Sequence, residues 1–318
     1  MGEEQHRPRR HSSFTRSLIA PLNSEEEILI PNPEQFQAKL EALALAGSEN
    51  IELVSDFDFT LSRYRVDGVR GASTYQILQN GVLDEEKRKI VTDLYHYYHP
   101  IEVDSEISLE EKTKLLNDWW SKGNEIIISA EVYKDMMPDL LSHSPLYLRN
   151  AIDRVVWLCQ KHSIPFTVIS AGVGDIIDTA LKGFSHYEGL RMFSNFMLWD
   201  DEGKLDAFSE PPLRTTNKNI ILAENTPKSH IILLGDIPAD TKMIEHANHQ
   251  ADLKIGFLNN LEIYDLEDYK KHYDMLILHD GNLVAVEALL SAICKEEYNF
   301  DHFPSLEPLK EHLSKYFS

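Results

Sequence analysis

Two aspartates one residue apart end an apolar run in the segment Ile51-Glu-Leu-Val-Ser-Asp56-Phe-Asp58-Phe-Thr60. Alternate residues of an extended chain share a face, so the carboxylates of Asp56 and Asp58 are predicted to point the same way. Like charges at contact distance repel by about 4 kcal/mol at an effective dielectric constant of about 20. Because a bound cation or a proton would relieve that repulsion, the pair predicts a metal-binding or acid–base site. A strand that ends in an acidic turn is the alternative.

A second strand pattern, Phe166-Thr-Val-Ile-Ser170, ends in a hydroxyl group and is followed by Ala171-Gly172 and a helical pattern. The first N–H groups of a helix lack partners within it, so such a turn can bind an anion, and Ser170 can donate a further hydrogen bond. A turn that needs glycine only for steric reasons is the alternative. Phosphate binding is favoured once the neighbouring segments are considered together.

Two later segments add a cation and two more acids. Lys218 lies in the polar turn Thr215-Thr-Asn-Lys-Asn219, where it could neutralise a phosphoryl group or could be an ordinary surface lysine. The run Ile231-Ile-Leu-Leu-Gly235-Asp236 ends in an acid that could complete a magnesium shell, since Mg²⁺ prefers oxygen ligands. Asp240 could orient Lys218 or a metal-bound water, or could cap a helix.

Apolar runs alternate with helical patterns along most of the chain, which predicts an α/β fold with a mainly parallel sheet covered on both faces. An Asp-Glu-Gly turn at 201–203 predicts a hairpin attached to that sheet. The strands predicted after the one that carries Asp56 are 166–170, 191–199, 231–236, 253–258 and 275–279. A helix is predicted before that strand at 33–46, and further helices after it at 85–98, 108–123, 172–184, 242–248 and 283–295.

The order of these patterns predicts a core domain with an insertion. Residues 1–32 mix arginines and serines with little apolar periodicity, so we expect a disordered tail. Residues 33–74 and 143–318 carry the strand–helix alternation of the core. Between them, residues 75–142 contain long helical patterns without clear strands, which predicts a helical cap that closes over a substrate.

Charge and composition limit the classes of partner. The formal net charge is −21, from 52 acidic and 31 basic residues, which opposes binding to a nucleic acid polymer. A small phosphorylated molecule is still compatible with this charge, because a few cationic side chains can make a pocket positive although the net charge of the protein is negative. Two cysteines and the lack of a long apolar run predict an intracellular, cytoplasmic protein that does not contact a membrane. We expect a monomer.

The motifs occur in this order, each at the end of a predicted strand. In this arrangement the chain resembles the haloacid dehalogenase (HAD) superfamily of phosphatases. The resemblance extends to the pyrimidine 5′-nucleotidases, or cytosolic 5′-nucleotidase III, over roughly residue 51 to the C-terminal helix. The segments that carry this closer resemblance are Tyr97-Tyr-His-Pro-Ile-Glu102-Val-Asp104, Glu110-Glu-Lys112, His162-Ser-Ile-Pro165, Ser170-Ala-Gly-Val-Gly-Asp175, Ser194-Asn-Phe-Met197, Leu253-Lys-Ile-Gly256 and Leu258-Asn259.

The resemblance implies a Rossmann-like HAD core and assigns roles to the motif residues. Asp56 would be the nucleophile that forms an aspartyl-phosphate, and Asp58 the general acid and later the general base. Magnesium would be held by Asp56, by the backbone carbonyl of Asp58 and by Asp236, with Asp240 in support. The substrate would be bound by four residues, Ser170, Ala171 and Lys218 at the phosphate and Glu102 at the base or sugar.

The implied reaction is magnesium-dependent hydrolysis of pyrimidine nucleoside 5′-monophosphates, CMP and UMP. The alternatives are a HAD phosphatase for 7-methylguanosine monophosphate or another small phosphoester, and a weakened nucleotide-binding pseudoenzyme. The last alternative rests on Ile237, Pro238 and Ala239, where the family usually has serine and glycine in its final acidic motif. Gly123 stands where the resemblance suggests a serine that touches the base, so the reaction is better defined than the preferred base.

Overall fold

A seven-stranded sheet lies at the centre of the computed structural model, which describes residues 18–103, 107–184, 188–225 and 228–317. In spatial order its strands are β1 (Glu27–Leu29), β11 (Met275–Leu278), β10 (Ala251–Leu258), β9 (His230–Gly235), β2 (Ile51–Ser55), β5 (Phe166–Val173) and β6 (Leu190–Asn195). Neighbouring strands run parallel except for the pair of β1 and β11. Strands β3 (Arg65–Val66) and β4 (Val69–Arg70) form a separate antiparallel pair. The predicted α/β fold with a mainly parallel sheet is confirmed.

The three middle strands bring their carboxyl ends to one edge of the sheet. Ser55, the last residue of β2, pairs with Leu234 of β9 on one side and with Val168 of β5 on the other. Every residue of β2 and β9 is buried, as parallel strands are when both faces of the sheet are covered. Side chains that follow these strands therefore meet at the edge where open α/β sheets bind ligands.

Helices cover both faces of the sheet. Alternate residues of β9 belong to different apolar clusters: Ile232 and Leu234 to the main core, and Ile231 and Leu233 to a smaller cluster that includes Leu222. The helices of the core are α1 (Pro33–Ala46), α6 (Ile152–Lys161), α7 (Gly174–Leu181), α8 (Asn219–Glu224), α9 (Leu266–His272), α10 (Val284–Cys294) and α11 (Glu307–Leu313).

Four α-helices lie within residues 74–142, where the sequence predicts a cap over 75–142. They are α2 (Thr74–Val82), α3 (Glu85–Val103), α4 (Leu109–Ile128) and α5 (Met137–Ser142). Helix α3 packs against α4. The boundaries and the closing role of this block stay predictions. In the described part of the chain, these and the other helices are too short or too polar to cross a membrane.

The predicted tail is too long, because residues 18–32 are placed against the core. Strand β1 pairs antiparallel with β11, and Ile19 forms a bridge with Leu148. The side chain of Glu26 is buried and accepts hydrogen bonds from the backbone and side-chain N–H groups of Asn282. These partners lie far away in the sequence, so the short segment carries no local pattern that reveals them. Residues 1–17 lie outside the described part.

Two predicted elements take other forms. The region 191–199 divides into β6 and β7 (Met197–Trp199), and β7 pairs with β8 (Leu205–Phe208) in a separate two-stranded sheet. The hairpin prediction is therefore correct, but its attachment to the main sheet is wrong. The predicted helix 242–248 is replaced by the 3₁₀ segment Pro238–Ile244, which begins earlier because proline favours a first helical position.

Candidate active site

Asp56 follows the last residue of β2, and its N–H extends the ladder by donating to the carbonyl oxygen of Leu234 at 3.1 Å. Its side chain is buried against the ammonium group of Lys218, whose Nζ lies 2.7 Å from Asp56 Oδ1. The same Nζ lies 2.9 Å from Asp240 Oδ1. One buried cation therefore joins an acid at the end of β2 to an acid in the segment after β9.

Three carboxylates converge beside this cation. One oxygen from each of Asp56, Asp236 and Asp240 lies within 4.8 Å of the others. Asp236 Oδ1 accepts a hydrogen bond from Thr60 Oγ1 at 3.3 Å. Asp240 Oδ2 accepts hydrogen bonds from the N–H groups of Asp236 and Ile237, each at 3.2 Å. Asp240 therefore holds the loop that presents Asp236.

The charges of this cluster favour a divalent cation. Burial raises the pKa of Asp56 to about 7, against the opposing effect of Lys218. Burial, reinforced by Asp240 and Asp56, raises the pKa of Asp236 well above its ordinary value. Burial acts to lower the pKa of Lys218, but Asp240 and Asp56 raise it overall. Three carboxylates against one ammonium leave negative charge uncompensated, so oxygen ligands of this kind fit Mg²⁺.

The unusual residues of the last acidic motif are compatible with this geometry. Pro238 begins the 3₁₀ segment, where a helix needs no backbone donor, so its missing N–H leaves no gap in the hydrogen bonding. The N–H of Ile237 donates to Asp240, and Asp240 is buried. The loop therefore keeps Asp236 and Asp240 together without a serine hydroxyl.

Asp58 faces a different partner from Asp56. Its carboxylate accepts hydrogen bonds from the N–H and the hydroxyl group of Thr74, both at 2.9 Å. Burial raises the pKa of Asp58 to about 6, although the hydrogen bonds of Thr74 act to lower it. A carboxyl group that titrates near neutral pH suits general acid–base catalysis. Thr74 was not predicted as a site residue, although the capping box of Ser73 and Gln76 marks the start of α2 in the sequence.

Gly172 lies near the end of β5, where the side chain of Asp58 approaches that of Ser170. A Cβ atom added at Gly172 would lie 2.9 Å from Asp58 Oδ2 and 3.1 Å from Ser170 Oγ, and would collide with Thr74 Oγ1. The N–H of Gly172 donates to Ser170 Oγ at 3.1 Å, and Ser170 is buried. The absence of a side chain at Gly172 therefore leaves room for the side chains of Asp58 and Ser170 at one edge of the sheet.

The chain matches a known protein family over most of its length. The family model of pyrimidine 5′-nucleotidase (UMPH-1) matches residues 59–294. The chain belongs to this family. The predicted membership of the HAD superfamily, in its cytosolic 5′-nucleotidase III type, is confirmed. The predicted enzyme class, a 5′-nucleotidase, is confirmed as well.

The same relationship holds over nearly the whole chain. A 7-methylguanosine phosphate-specific 5′-nucleotidase of Gallus gallus is 31% identical over 288 residues, which cover 87% of this chain and 100% of the relative. The crystal structure of cytosolic 5′-nucleotidase IIIB bound to cytidine has a TM-score of 0.71 and 26% sequence identity, and the match covers 84% of this chain and 93% of that one. A HAD family hydrolase of Salmonella enterica serovar Typhi shares the fold, with a TM-score of 0.52, 15% identity and 81% of each chain covered.

The nucleotidase also uses Asn195 to join two site segments, a role that was not predicted from the sequence. Asn195 is buried, and its Nδ2 donates to the carbonyl oxygens of Ala171 and Leu213, both at 2.8 Å. Its Oδ1 accepts from the N–H of Leu213 at 2.7 Å. The end of β5, which contains Ala171, is thereby fixed to the loop that leads to Lys218. The sequence offered a signal, since Asn195 lies in a segment that resembles the family.

Arg149 supports the loop after Asp58 in this nucleotidase. It is fully buried, its Nε donates to the carbonyl oxygen of Thr60 at 2.6 Å, and its Nη2 donates to that of Phe59 at 2.7 Å. Its Nη1 lies 3.0 Å from Asp280 Oδ1. Arginines are mostly exposed, so nothing in the local sequence marked this one.

The structure thus brings six of the predicted site residues to one edge of the sheet: Asp56, Asp58, Ser170, Lys218, Asp236 and Asp240. Ala171 adjoins them through its backbone. Glu102 belongs to α3, but its side chain lies outside the described part of the structure, so its predicted contact with the substrate stays a prediction.

Proposed function

We propose that this 5′-nucleotidase hydrolyses nucleoside 5′-monophosphates to nucleoside and phosphate, with Asp56 as the nucleophile. The observation that carries the proposal is the buried contact of 2.7 Å between Asp56 and Lys218 at the carboxyl edge of β2. A carboxylate that attacks a phosphate must overcome the repulsion of two anions. The adjacent ammonium group reduces that repulsion for both partners.

Asp56 and Asp58 divide the reaction into two steps. In the first, an Asp56 oxygen bonds to phosphorus, the bond to the 5′-oxygen breaks, and Asp58 gives its proton to that oxygen. In the second, Asp58 takes a proton from water, the water oxygen bonds to phosphorus, and the bond to Asp56 breaks. The products are the nucleoside and phosphate, and both aspartates regain their starting states. The raised pKa of Asp58, about 6, supports its role as a proton donor near neutral pH.

We assign Asp56, Asp236 and the backbone carbonyl of Asp58 as ligands of Mg²⁺, with Asp240 in support. The convergence of three buried carboxylates supports this assignment. When bound, the ion supplies positive charge that draws the phosphate towards Asp56. Asp240 contributes through its hydrogen bonds to the loop of Asp236 and its contact with Lys218.

For the substrate, we retain pyrimidine nucleotides, CMP and UMP, as the first candidates. The family description and the cytidine-bound structure of a relative support them. The second candidate is 7-methylguanosine monophosphate, which the name of the Gallus gallus relative favours. Ser170, Ala171 and Lys218 would bind the phosphate in either case, and Glu102 the base or sugar.

Phosphate release from CMP, UMP and 7-methylguanosine monophosphate tests the proposal. We expect magnesium-dependent turnover of at least one of them, loss of turnover with a chelator, and loss in the Asp56→Asn variant. Preference for a sugar phosphate over all nucleotides would sink the nucleotide assignment. Binding of a nucleotide with no turnover above that of Asp56→Asn would instead support the pseudoenzyme alternative.

The cellular setting is part of the proposal. We assign the enzyme to the cytoplasm, as a monomer with a small-molecule substrate and no nucleic acid or membrane partner. A relative of known structure is a cytosolic 5′-nucleotidase, which supports the location, and the net charge of −21 argues against nucleic acid. Light scattering after size-exclusion chromatography tests the monomer, since a mass of twice 36.5 kDa would contradict it.

A further inference from the structure

Thr74 joins three parts of the chain at the edge of the sheet. It is the first residue of α2, where the core passes into the helical block formed by α2 to α5, and it is completely buried. Its N–H donates to Asp58 Oδ1 and its hydroxyl group to Asp58 Oδ2, both at 2.9 Å. The N–H of Val173, the last residue of β5, donates to Thr74 Oγ1 at 2.9 Å. Thr74 therefore links the loop after β2, the end of β5 and the start of the helical block.

The contacts of Thr74 fix the direction of its hydrogen bonds. A threonine hydroxyl carries one hydrogen atom, and a backbone N–H can only donate. Thr74 Oγ1 accepts the hydrogen atom of Val173, so its own hydrogen atom is the one shared with Asp58 Oδ2. Among the described residues, both hydrogen bonds to the Asp58 carboxylate come from Thr74. Two contacts from one residue define the orientation of a carboxylate better than a single contact does.

Helix α2 does not need the Thr74 hydroxyl group for its own stability. Ser73 is the N-cap residue, and its Oγ accepts a hydrogen bond from the N–H of Gln76 at 3.3 Å. The side-chain oxygen of Gln76 accepts in return from the N–H of Ser73 at 3.0 Å. This capping box already satisfies the start of the helix. The buried hydroxyl of Thr74 is therefore explained by its effect on Asp58.

Thr74 is a rigid support for this carboxylate. A β-branched side chain has few χ1 rotamers, so the position of Thr74 Oγ1 follows closely from the backbone of α2. Asp58 Oδ2 also packs against Gly172, where an added Cβ would lie 2.9 Å from it. A general acid must lie within hydrogen-bond reach of the atom that it protonates. The orientation that Thr74 imposes on Asp58 is therefore a condition for proton transfer.

We infer that Thr74 is a positioning residue that orients the carboxyl group of Asp58 for transfer of its proton to the leaving 5′-oxygen. This inference rests on the proposed function and deepens it, because it concerns the proton transfer of the same reaction. Thr74 gives up no proton. The proton passes from Asp58 to the 5′-oxygen as the bond between phosphorus and that oxygen breaks. The helical block thus acts on the chemical step through its first residue.

A substrate with a sulfur leaving group isolates this proton transfer. In the analogue, sulfur replaces the bridging 5′-oxygen of the best nucleotide in the panel, while the base and the phosphate are unchanged. An alkyl thiol ionises at about pH 8.5, whereas an alcohol is a far weaker acid, so the thiolate leaves without a proton. With enzyme in excess over substrate, release of the nucleoside or 5′-thionucleoside reports the first chemical step alone.

Thr74→Val removes the hydroxyl group and keeps nearly the same shape. We expect it to slow nucleoside release from the nucleotide about 10- to 100-fold, because Asp58 loses a hydrogen bond and general acid catalysis is impaired. Release from the sulfur analogue should change by less than about 3-fold, since it needs no general acid. Thr74→Ser keeps the hydroxyl group and should restore the rate to within about 3-fold of wild type.

Thr179→Val is the matched control. Thr179 Oγ1 donates to the carbonyl oxygen of Asp175 within α7, so this variant should release nucleoside from both substrates at the wild-type rate. A double-mutant cycle adds a second readout. In the Asp58→Asn background, Thr74→Val should cause no further loss with the nucleotide, because the group that it positions is already inactive.

The outcomes separate this inference from the proposed function. If wild-type enzyme releases no nucleoside from any nucleotide, the proposed function fails and the inference fails with it. If wild type is active but Thr74→Val slows the oxygen and sulfur substrates equally, or slows neither, only the positioning role is overturned. Thermal melting shows whether Thr74→Val is folded. If it is not, Thr74→Ala, which adds no methyl group beside Asp58, provides the same comparison.

Discussion

Lys218 Nζ and Asp56 Oδ1 lie 2.7 Å apart, and both side chains are almost completely buried. A buried ion pair stabilises a fold only weakly, because desolvation of its two charges offsets most of their attraction. A pair of this kind at the edge of a sheet is better explained by its effect on a substrate. The same lysine contacts Asp240 at 2.9 Å, so its position is fixed before a phosphate binds.

Removal of this cation should abolish most of the activity. In Lys218→Met, we expect kcat to fall by about 10² to 10³, since a preorganised charge on the transferring group is lost. Steady-state phosphate release measures the effect. Lys39→Met is the matched control, because Lys39 pairs with Asp274 in the core but outside the site. Equal activity of Lys218→Met and wild type would contradict a role for Lys218 in catalysis.

Gly172 should tolerate no side chain. In Gly172→Ala, the new Cβ would lie 2.9 Å from Asp58 Oδ2 and would displace Thr74 Oγ1. We expect kcat/KM to fall at least about 10-fold and the free energy of unfolding to fall by about 1–3 kcal/mol, as overpacking predicts. Activity assays and urea unfolding measure both effects.

Gly123→Ala provides the matched control for this experiment. Gly123 lies inside α4, and a Cβ added there meets no atom within 4 Å. Since glycine in a helix interior is less favourable than alanine, this variant should be more stable by about 0.5–1 kcal/mol. A similar loss of stability in both variants would contradict the steric explanation for Gly172.

The sequence predicted the acidic residues of the site better than the residues that hold them in place. Asp56 and Asp236 each follow an apolar run, and parallel strands must bring such ends to one edge. Thr74, Asn195 and Arg149 act through partners that lie far away in the sequence, so no periodicity or spacing marks them.

The same physical limit explains the errors in the fold. Strand β1 has only three residues, and its pairing with β11 depends on the completed sheet. The hairpin of β7 and β8 was recognisable from its turn, but its separation from the main sheet depends on tertiary packing. Local patterns predicted the elements, whereas their distant partners remained hidden.

Magnesium should stabilise the folded protein through the three carboxylates. At a concentration 100 times its dissociation constant, a ligand that binds only the folded state adds about 2.7 kcal/mol to the free energy of unfolding. We expect magnesium to raise the melting temperature of wild type and to have a much smaller effect on Asp236→Asn. Thermal melting with and without a chelator measures this.

Asp58→Asn serves as the control for the metal prediction. The side chain of Asp58 accepts hydrogen bonds from Thr74, and only the backbone carbonyl of Asp58 belongs to the assigned metal site. This variant should keep the stabilisation by magnesium while it loses turnover. If magnesium has the same effect on Asp236→Asn as on wild type, the ligand assignment is wrong.

The guanidinium group of Arg149 should be essential to the stability of the loop that follows Asp58. Arg149 is fully buried, donates to the carbonyl oxygens of Phe59 and Thr60, and pairs with Asp280. In Arg149→Met, these oxygens and the Asp280 carboxylate lose a partner, so we expect a loss of about 3–5 kcal/mol in the free energy of unfolding. Phe59 has a φ of 64°, a strained value that its neighbours must maintain. We therefore expect kcat to fall together with stability, even under conditions where the variant is folded.

Chemical unfolding and activity at low temperature measure the two effects. Arg88→Met is the matched control, because Arg88 is exposed and its guanidinium group donates to the carbonyl oxygen of Asn80 at the surface, so its removal should change stability by less than about 0.5 kcal/mol. A folded Arg149→Met variant with wild-type kcat would show that the loop holds its position without this support.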